Sequence, residues 1–172
     1  MRASDVNAVL DVLARAGIRV WIDGGWGVDA LLAEQTRAHN DLDIVIEHTD
    51  VARYRDAMRA AGFEVVWRGY ATPRNFVMAD TAGREVDVHL VDRSAVVRDA
   101  NGVEVYGPNG LEYEVGSLDA TGVIAGRTVG CLTAAFQVRA HTGYEHDSED
   151  ARDVLALCER FGIPVPAQYA PG

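Results

Sequence analysis

The chain has 172 residues, of which 48% are apolar and 24% charged. This is the composition of one globular domain large enough to bury a proper core, and it excludes a disordered or membrane-embedded chain. A net charge of −10 at pH 7 makes a surface that repels nucleic acid and anionic membranes and attracts cations. All 16 basic residues are arginines. With no lysine, a lysine–nucleotide intermediate, a Schiff base and a P-loop lysine are excluded.

Ser4 reads as a helix cap, with Val6, Val9, Leu10 and Leu13 at helical spacing and Gly17 as the stop. Residues 18–22 are a short apolar strand that runs into Gly24 and Gly25, and a second helix is predicted over 27–32. A polar connection over 34–40 leads to a strand at 41–47. Thr49 or Asp50 then caps a helix that ends near Ala61 and Gly62. Strands follow at 63–67 and 74–79, and Ala82-Gly83 makes the turn into a strictly alternating strand over 84–91.

Residues 99–126 are rich in turn formers and read as short strands or loops. They carry Asp99, Glu104, Glu112, Glu114 and Asp119 and no basic residue. A strand at 127–132, a helix over 133–142 and a last helix from Asp147 or Ser148 to about Arg160 complete the pattern, and a tail after Pro166 is expected to be loosely held. Neither a repeat nor a domain linker is visible, so residues 1–172 are expected to form a single domain. Cys131 and Cys158 have no metal-type spacing and read as reduced core thiols of a cytoplasmic protein. No leader segment and no membrane span are expected.

The chemistry concentrates between residues 21 and 46. Strand side chains alternate, so Asp41 and Asp43 share one face while Leu42, Ile44 and Ile46 point into the core. Two adjacent carboxylates repel each other unless a cation lies between them, and Mg2+ suits such oxygen ligands. Gly24 and Gly25 let the backbone turn sharply and let a ligand approach its N–H groups. The helix behind them turns its positive end toward the same place, which makes an anion site. Alone, the glycines read as a turn and the aspartates as a solvated strand end. Together they read as a metal–nucleoside triphosphate site. On the later strand Glu85, Asp87 and His89 share one face, and Asp87 completes an acidic cluster if the two strands pair.

Asp23-Gly-Gly-Trp-Gly-Val-Asp29, Thr36-Arg37 and His39-x-Asp41-Leu-Asp43 resemble the DNA polymerase beta-like nucleotidyltransferases. Within these they are similar to the small antibiotic nucleotidyltransferases, which include lincosamide nucleotidyltransferases and aminoglycoside 2''-adenylyltransferase-like proteins. The resemblance runs to about Pro166. It implies an α+β nucleotidyltransferase fold, a mixed β-sheet flanked by helices. It also implies Mg2+-dependent transfer of AMP from ATP, with two metal ions, to a hydroxyl of a small-molecule antibiotic, and the acidic stretch after Asp99 points to a cationic acceptor. Asp41 and Asp43 would bridge the metals, and Asp87 would bind one metal, act as the base, or do both. Gly24, Gly25, Trp26, Asp29, Arg37 and His39 would bind the nucleotide, Arg37 by neutralising the triphosphate and His39 by bonding a phosphate or orienting Asp41.

Glu85, His89, His141, Tyr144, Asp150 and Asp153 would bind the acceptor, Asp150 and Asp153 closing its pocket or holding Arg139 and His141. A homodimer could complete an open acceptor site. The alternatives are a protein adenylyltransferase of antitoxin type and a catalytically silent nucleotide-binding module. The sequence predicts a mixed sheet of about five strands, with helices on one face and the acidic cluster on the other.

Overall fold

The computed structural model describes residues 1–143, 145 and 147–170. Helix α1 (Ala3–Arg15) buries Val6, Val9, Leu10 and Leu13, the positions read from the helical period. Its start differs from the expectation. Arg2 stands at the N-cap, and Asp5 reaches back to accept the Arg2 backbone N–H at 3.0 Å. A first-turn carboxylate thus closes the helix start at Arg2, two residues before the expected Ser4 cap.

The chain continues through β1 (Val20–Ile22), α2 (Gly24–Leu32), β2 (Asp41–Glu47), a 3-10 turn (His48–Asp50) and α3 (Val51–Ala60). Next come β3 (Phe63–Val66), β4 (Asn75–Asp80), β5 (Glu85–Val91) and a two-stranded ribbon of β6 (Val96–Arg98) and β7 (Glu104–Tyr106). Strands β8 (Ala120–Ile124) and β9 (Arg127–Cys131) and helices α4 (Ala134–Ala140) and α5 (Ser148–Phe161) complete the order, before a last 3-10 turn at Ala167–Tyr169.

The main sheet has seven strands in the order β3-β4-β5-β2-β1-β9-β8, where about five were expected. Strand β8 falls in the stretch that reads as short strands or loops, because Gly122 interrupts its pattern. The glycine is there for packing: a Cβ on it would overlap the backbone carbonyl of Ala30 in α2. Strand pairs β2–β5 and β1–β9 are parallel and the other pairs antiparallel, so the sheet is mixed, as expected of the α+β class.

One sheet face supplies Leu42, Ile44, Ile46, Val86, Val88 and Leu90 to the main core, under α1, α3 and the Trp26 and Ala30 positions of α2. Val45 and Val91 point the other way, toward Trp21, Tyr113, Leu118 and Leu132. The segment bearing Tyr113 and Leu118 therefore covers one end of the second face, while Asp41 at the other end is exposed. Asp92, at the end of β5, is fully buried and accepts hydrogen bonds from Ser94 and Asn109, which ties this covering segment to the sheet.

Helices α4 and α5 pack on α2 around Val28, Val138, Val154, Leu157 and Cys158. The tail is anchored in this second core, contrary to the expectation that it is loosely held. Tyr169 is buried there and its hydroxyl donates to the His141 carbonyl. Burial of one large aromatic and its hydroxyl bond offset part of the entropy of ordering these residues. Cys131 and Cys158 are buried free thiols, and burial pushes Cys131 up to about 12. Among the described residues no helix is long and apolar enough to cross a membrane.

Candidate active site

Helix α2 starts earlier than predicted, so the two glycines form its first turn. Asp23 is the N-cap, and its side chain accepts the Gly24 N–H at 2.8 Å. Gly24 has φ +55°, a left-handed conformation that suits glycine. A Cβ on Gly24 would overlap Oδ2 of Asp43, so the start of α2 lies directly on the acidic strand. On Gly25, a Cβ would come within 2.5 Å of His39 Nδ1 and 2.6 Å of Arg37 Nη2. The glycine pair is needed first for the packing of the neighbouring site side chains.

The parallel register aligns Asp41 with Glu85 and Asp43 with Asp87. One ligand atom from each of Asp43, Asp87 and His89 lies within 4.8 Å of the other two. Asp41 stands one step farther out on the same face, close enough for its charge to act on both aspartates. The tightest group is therefore two of the three expected metal-binding aspartates together with His89, which had been assigned to the acceptor.

Asp43 is half-buried. Burial, together with the charges of Asp41, Asp23 and Asp87, pushes it up to about 7 against the pull of His89. Asp87 is likewise raised by burial and by Asp41, offset in part by His89 and the Tyr70 hydroxyl. Its Oδ1 is buried without a hydrogen-bond partner. Recessed carboxylates that oppose one another's ionisation, one with an orphaned oxygen, fit a hard divalent cation.

The sequence reading missed two members of this constellation. The hydroxyl of Tyr113 lies 3.2 Å from His89 Nδ1 and 3.4 Å from Asp23 Oδ2. Burial would lower His89, but the Asp23 bond and the charges of Asp23, Asp87 and Asp43 raise it overall. Asp23 was legible as part of the glycine string. Tyr113 was not, because it lies in a segment without periodicity.

Arg37 and His39 both lie against Gly25. His39 is buried, bonds Asp29 through Nε2 and sets its ring centroid 4.7 Å from that of Trp26, tilted by 45°. It therefore engages Asp29, rather than Asp41 as one reading had it. Asp29 is buried as well, with further bonds from the Thr36 N–H and hydroxyl. Burial alone would raise Asp29, yet the His39 and Thr36 bonds leave it lowered. Trp26 is buried in the main core. Asp29 and Trp26 thus lie behind the glycine turn and buttress it. Arg37 is held by Asp153 at 2.9 Å and Glu149 at 3.0 Å.

The remaining acceptor candidates are divided. Glu85 bonds Arg68, in the loop that also carries Tyr70. His141 bonds the Gln137 carbonyl and lies 3.8 Å from Asp150, which also completes the capping box of α5. Asp153 is buried on Arg37, and Arg139 pairs instead with Glu114, so Asp150 and Asp153 do not hold Arg139. Tyr144 lies outside the described residues. In the acidic stretch, Glu104 and Glu114 have arginine partners and Asp99 accepts from its own turn, leaving Glu112 and Asp119 exposed. Trp67 is 82% exposed.

The profile of the aminoglycoside-2''-adenylyltransferase family matches residues 5–157. A lincosamide resistance protein of Staphylococcus haemolyticus is 25% identical over 159 residues, spanning 87% of this chain and 89% of the relative. The lincomycin-bound crystal structure of the lincosamide antibiotic adenylyltransferase LnuA superposes with a TM-score of 0.72 at 20% identity, over 94% of this chain and 97% of that one. ANT(2'')-Ia in complex with adenylyl-2''-tobramycin superposes with a TM-score of 0.73 at 20% identity, over 93% and 89%. At these identities the two superpositions establish a shared fold.

Proposed function

Since the chain belongs to the aminoglycoside-2''-adenylyltransferase family, and so to enzymes of nucleotidyl transfer, we propose that it moves AMP from ATP to a hydroxyl of a cationic antibiotic, a lincosamide or an aminoglycoside. The observation that carries this reading is the alignment of Asp43 with Asp87 across the parallel pair, directly under the glycine turn of α2. Such an arrangement brings an anion-binding helix start and a cation-binding acidic pair within one phosphate's reach.

Asp43 and Asp87 would hold Mg2+, with Asp41 beside them and His89 at the edge of the set. When bound, the metal supplies charge neutralisation of the triphosphate and lowers the pKa of a coordinated hydroxyl. The residues do the rest. The first turn of α2 offers its N–H groups to phosphate oxygens, and Arg37 adds a positive charge beside Gly25. Asp87, recessed and raised, takes the proton of the attacking hydroxyl. The new bond joins that oxygen to the α-phosphorus, the bond from that phosphorus to the bridging oxygen breaks, and pyrophosphate leaves. Tyr113 and Asp23 fix the ring of His89, which in turn steadies Asp87 by charge.

The reading extends to a single domain over residues 1–172, acting in the cytoplasm, where ATP is available. The acceptor binds on the side of Glu85, His89, His141 and Asp150, and a homodimer could close that side. The test is mass spectrometry of the pure protein with ATP, Mg2+ and a panel of lincosamides and aminoglycosides. A product heavier by one AMP, lost when Mg2+ is chelated, is the expected result. Unmodified drugs across the panel would refute the acceptor class, and ATP left intact with every acceptor would refute the transfer itself.

A further inference from the structure

Arg37 is the cation nearest the glycine turn, and two carboxylates from α5 grip it in different ways. Asp153 is buried, with its side chain 3% exposed, and takes both Nε at 3.2 Å and Nη2 at 2.9 Å on a single oxygen. Glu149 is 57% exposed at its side chain and meets the opposite nitrogen, Nη1, at 3.0 Å. The Asp153 side holds Nη2 against Gly25, within 2.6 Å of where a Cβ would be. On the Glu149 side an exposed surface carboxylate offers an anion to the guanidinium.

These contacts predict unequal strength. A charge-assisted pair with a buried carboxylate is rigid and costly to break. An exposed pair is weak, screened and readily exchanged for another anion. Guanidinium donates to carboxylate and phosphate alike, and Nη1 meets Glu149 through a single contact while also donating to the Ala38 carbonyl at 3.3 Å, so a phosphate oxygen can replace the Glu149 carboxylate without moving the arginine.

We propose that the two carboxylates have opposite roles toward the donor: Asp153 is a positioning residue that aims Arg37 at the triphosphate, and Glu149 is a placeholder anion that the triphosphate displaces. This division of labour rests on the nucleotidyl-transfer reading above. It accounts for two acidic side chains on one arginine, in a chain whose donor substrate is itself an anion. Glu149 keeps Arg37 neutralised and in place before ATP arrives, and it subtracts from ATP affinity. Asp153 keeps the guanidinium beside Gly25 in both states.

The test compares wild type, Asp153→Asn and Glu149→Gln by calorimetry with α,β-methylene-ATP and Mg2+, and by initial rates at varied ATP and varied acceptor. Glu149→Gln should tighten nucleotide binding by roughly two- to fivefold, the worth of an exposed ion pair, and loss of the same pair should lower the melting temperature of the nucleotide-free protein by no more than roughly 1–4 °C. Asp153→Asn should weaken binding and raise the KM for ATP by roughly tenfold or more, the worth of a charge-assisted bond, while the acceptor KM holds.

A merely structural role for Asp153 would lower the melting temperature and the active fraction without dividing the two KM values. If Asp153→Asn fails to fold, Glu149→Gln still decides: unchanged or weaker nucleotide binding in that variant overturns the proposal. Variants that both move nucleotide affinity the same way overturn it as well. Wild type that binds no nucleotide would instead refute the nucleotidyl-transfer reading on which this one stands.

Discussion

Asp29 and Asp43 are recessed aspartates on opposite sides of the glycine turn, and their neighbours move them in opposite directions. The bonds that Asp29 accepts from His39 and Thr36 hold it below the ordinary carboxylate value of 3.8 despite burial. A lowered acid contributes stability above its unfolded pKa and loses it as pH falls through the folded one. Asp29→Ala should therefore cost about 3 kcal/mol near neutrality, since it leaves a buried imidazole and hydroxyl unpaired. The gap between variant and wild type in urea midpoint should narrow below pH 3.8.

Asp43 runs the other way. Burial and three like charges raise it to about 7, so without metal it destabilises the fold increasingly as pH climbs from 3.8 toward 7. Asp43→Asn should thus melt above metal-free wild type at pH 8 and level with it near pH 4. About 1 kcal/mol is worth roughly 2–4 °C in a chain of this size. Adding Mg2+ should raise the melting temperature of wild type and not of the variant. A variant that melts below metal-free wild type at pH 8 would show that Asp43 is stabilised by its neighbours rather than strained by them.

At the scale of elements, the strands that carry chemistry were the legible ones. Alternation at Asp41 to Ile46 and at Glu85 to Leu90 sorts Asp41, Asp43, Glu85 and Asp87 from the apolar core face without any knowledge of tertiary contacts, although Val45 on the acidic side is buried under the Tyr113 segment. Strand β8 was not legible, because its Gly122 answers to a helix elsewhere in the chain. Tyr113 was hidden for a similar reason: it reaches His89 from a loop, and loops have no period to read. The Arg37–Asp153 contact joins residues 116 positions apart, a distance no local pattern encodes.

Gly122 makes this testable. A methyl group there would push α2 off β8, and α2 carries the glycine turn on its first residues. Gly122→Ala should cost roughly 1–3 kcal/mol in denaturant unfolding. It should also weaken Mg2+–ATP binding, although residue 122 lies on the strand behind that helix. Loss of stability with unchanged nucleotide affinity would mean that the helix start is held in place by something other than β8.

Across the whole molecule, the tail closes the second core. Tyr169 packs with Val138, Val154 and Leu157, and it bonds the His141 carbonyl at the exit of α4. Tyr169→Phe should cost about 1 kcal/mol for the hydrogen bond, and Tyr169→Ala about 3–5 kcal/mol for the lost aromatic volume. Because α5 bears both Asp153 and Glu149, Tyr169→Ala should also raise the KM for ATP, read by initial rates beside the melting curve. A normal KM in a destabilised variant would confine the tail to a purely structural part.

The parallel pairing of β2 with β5 has a kinetic consequence. Asp43 and Asp87 stand level only after α3, β3 and β4 have been laid down between them, a closure of more than forty residues. Neither strand alone can bring two carboxylates within a cation's reach, and no local hairpin can substitute, because parallel neighbours need a crossover. Contacts this distant form late, after the entropy of the intervening loop has been lost. The acidic pair therefore depends on tertiary closure, and neither strand segment alone is a chelating centre that could capture stray metal.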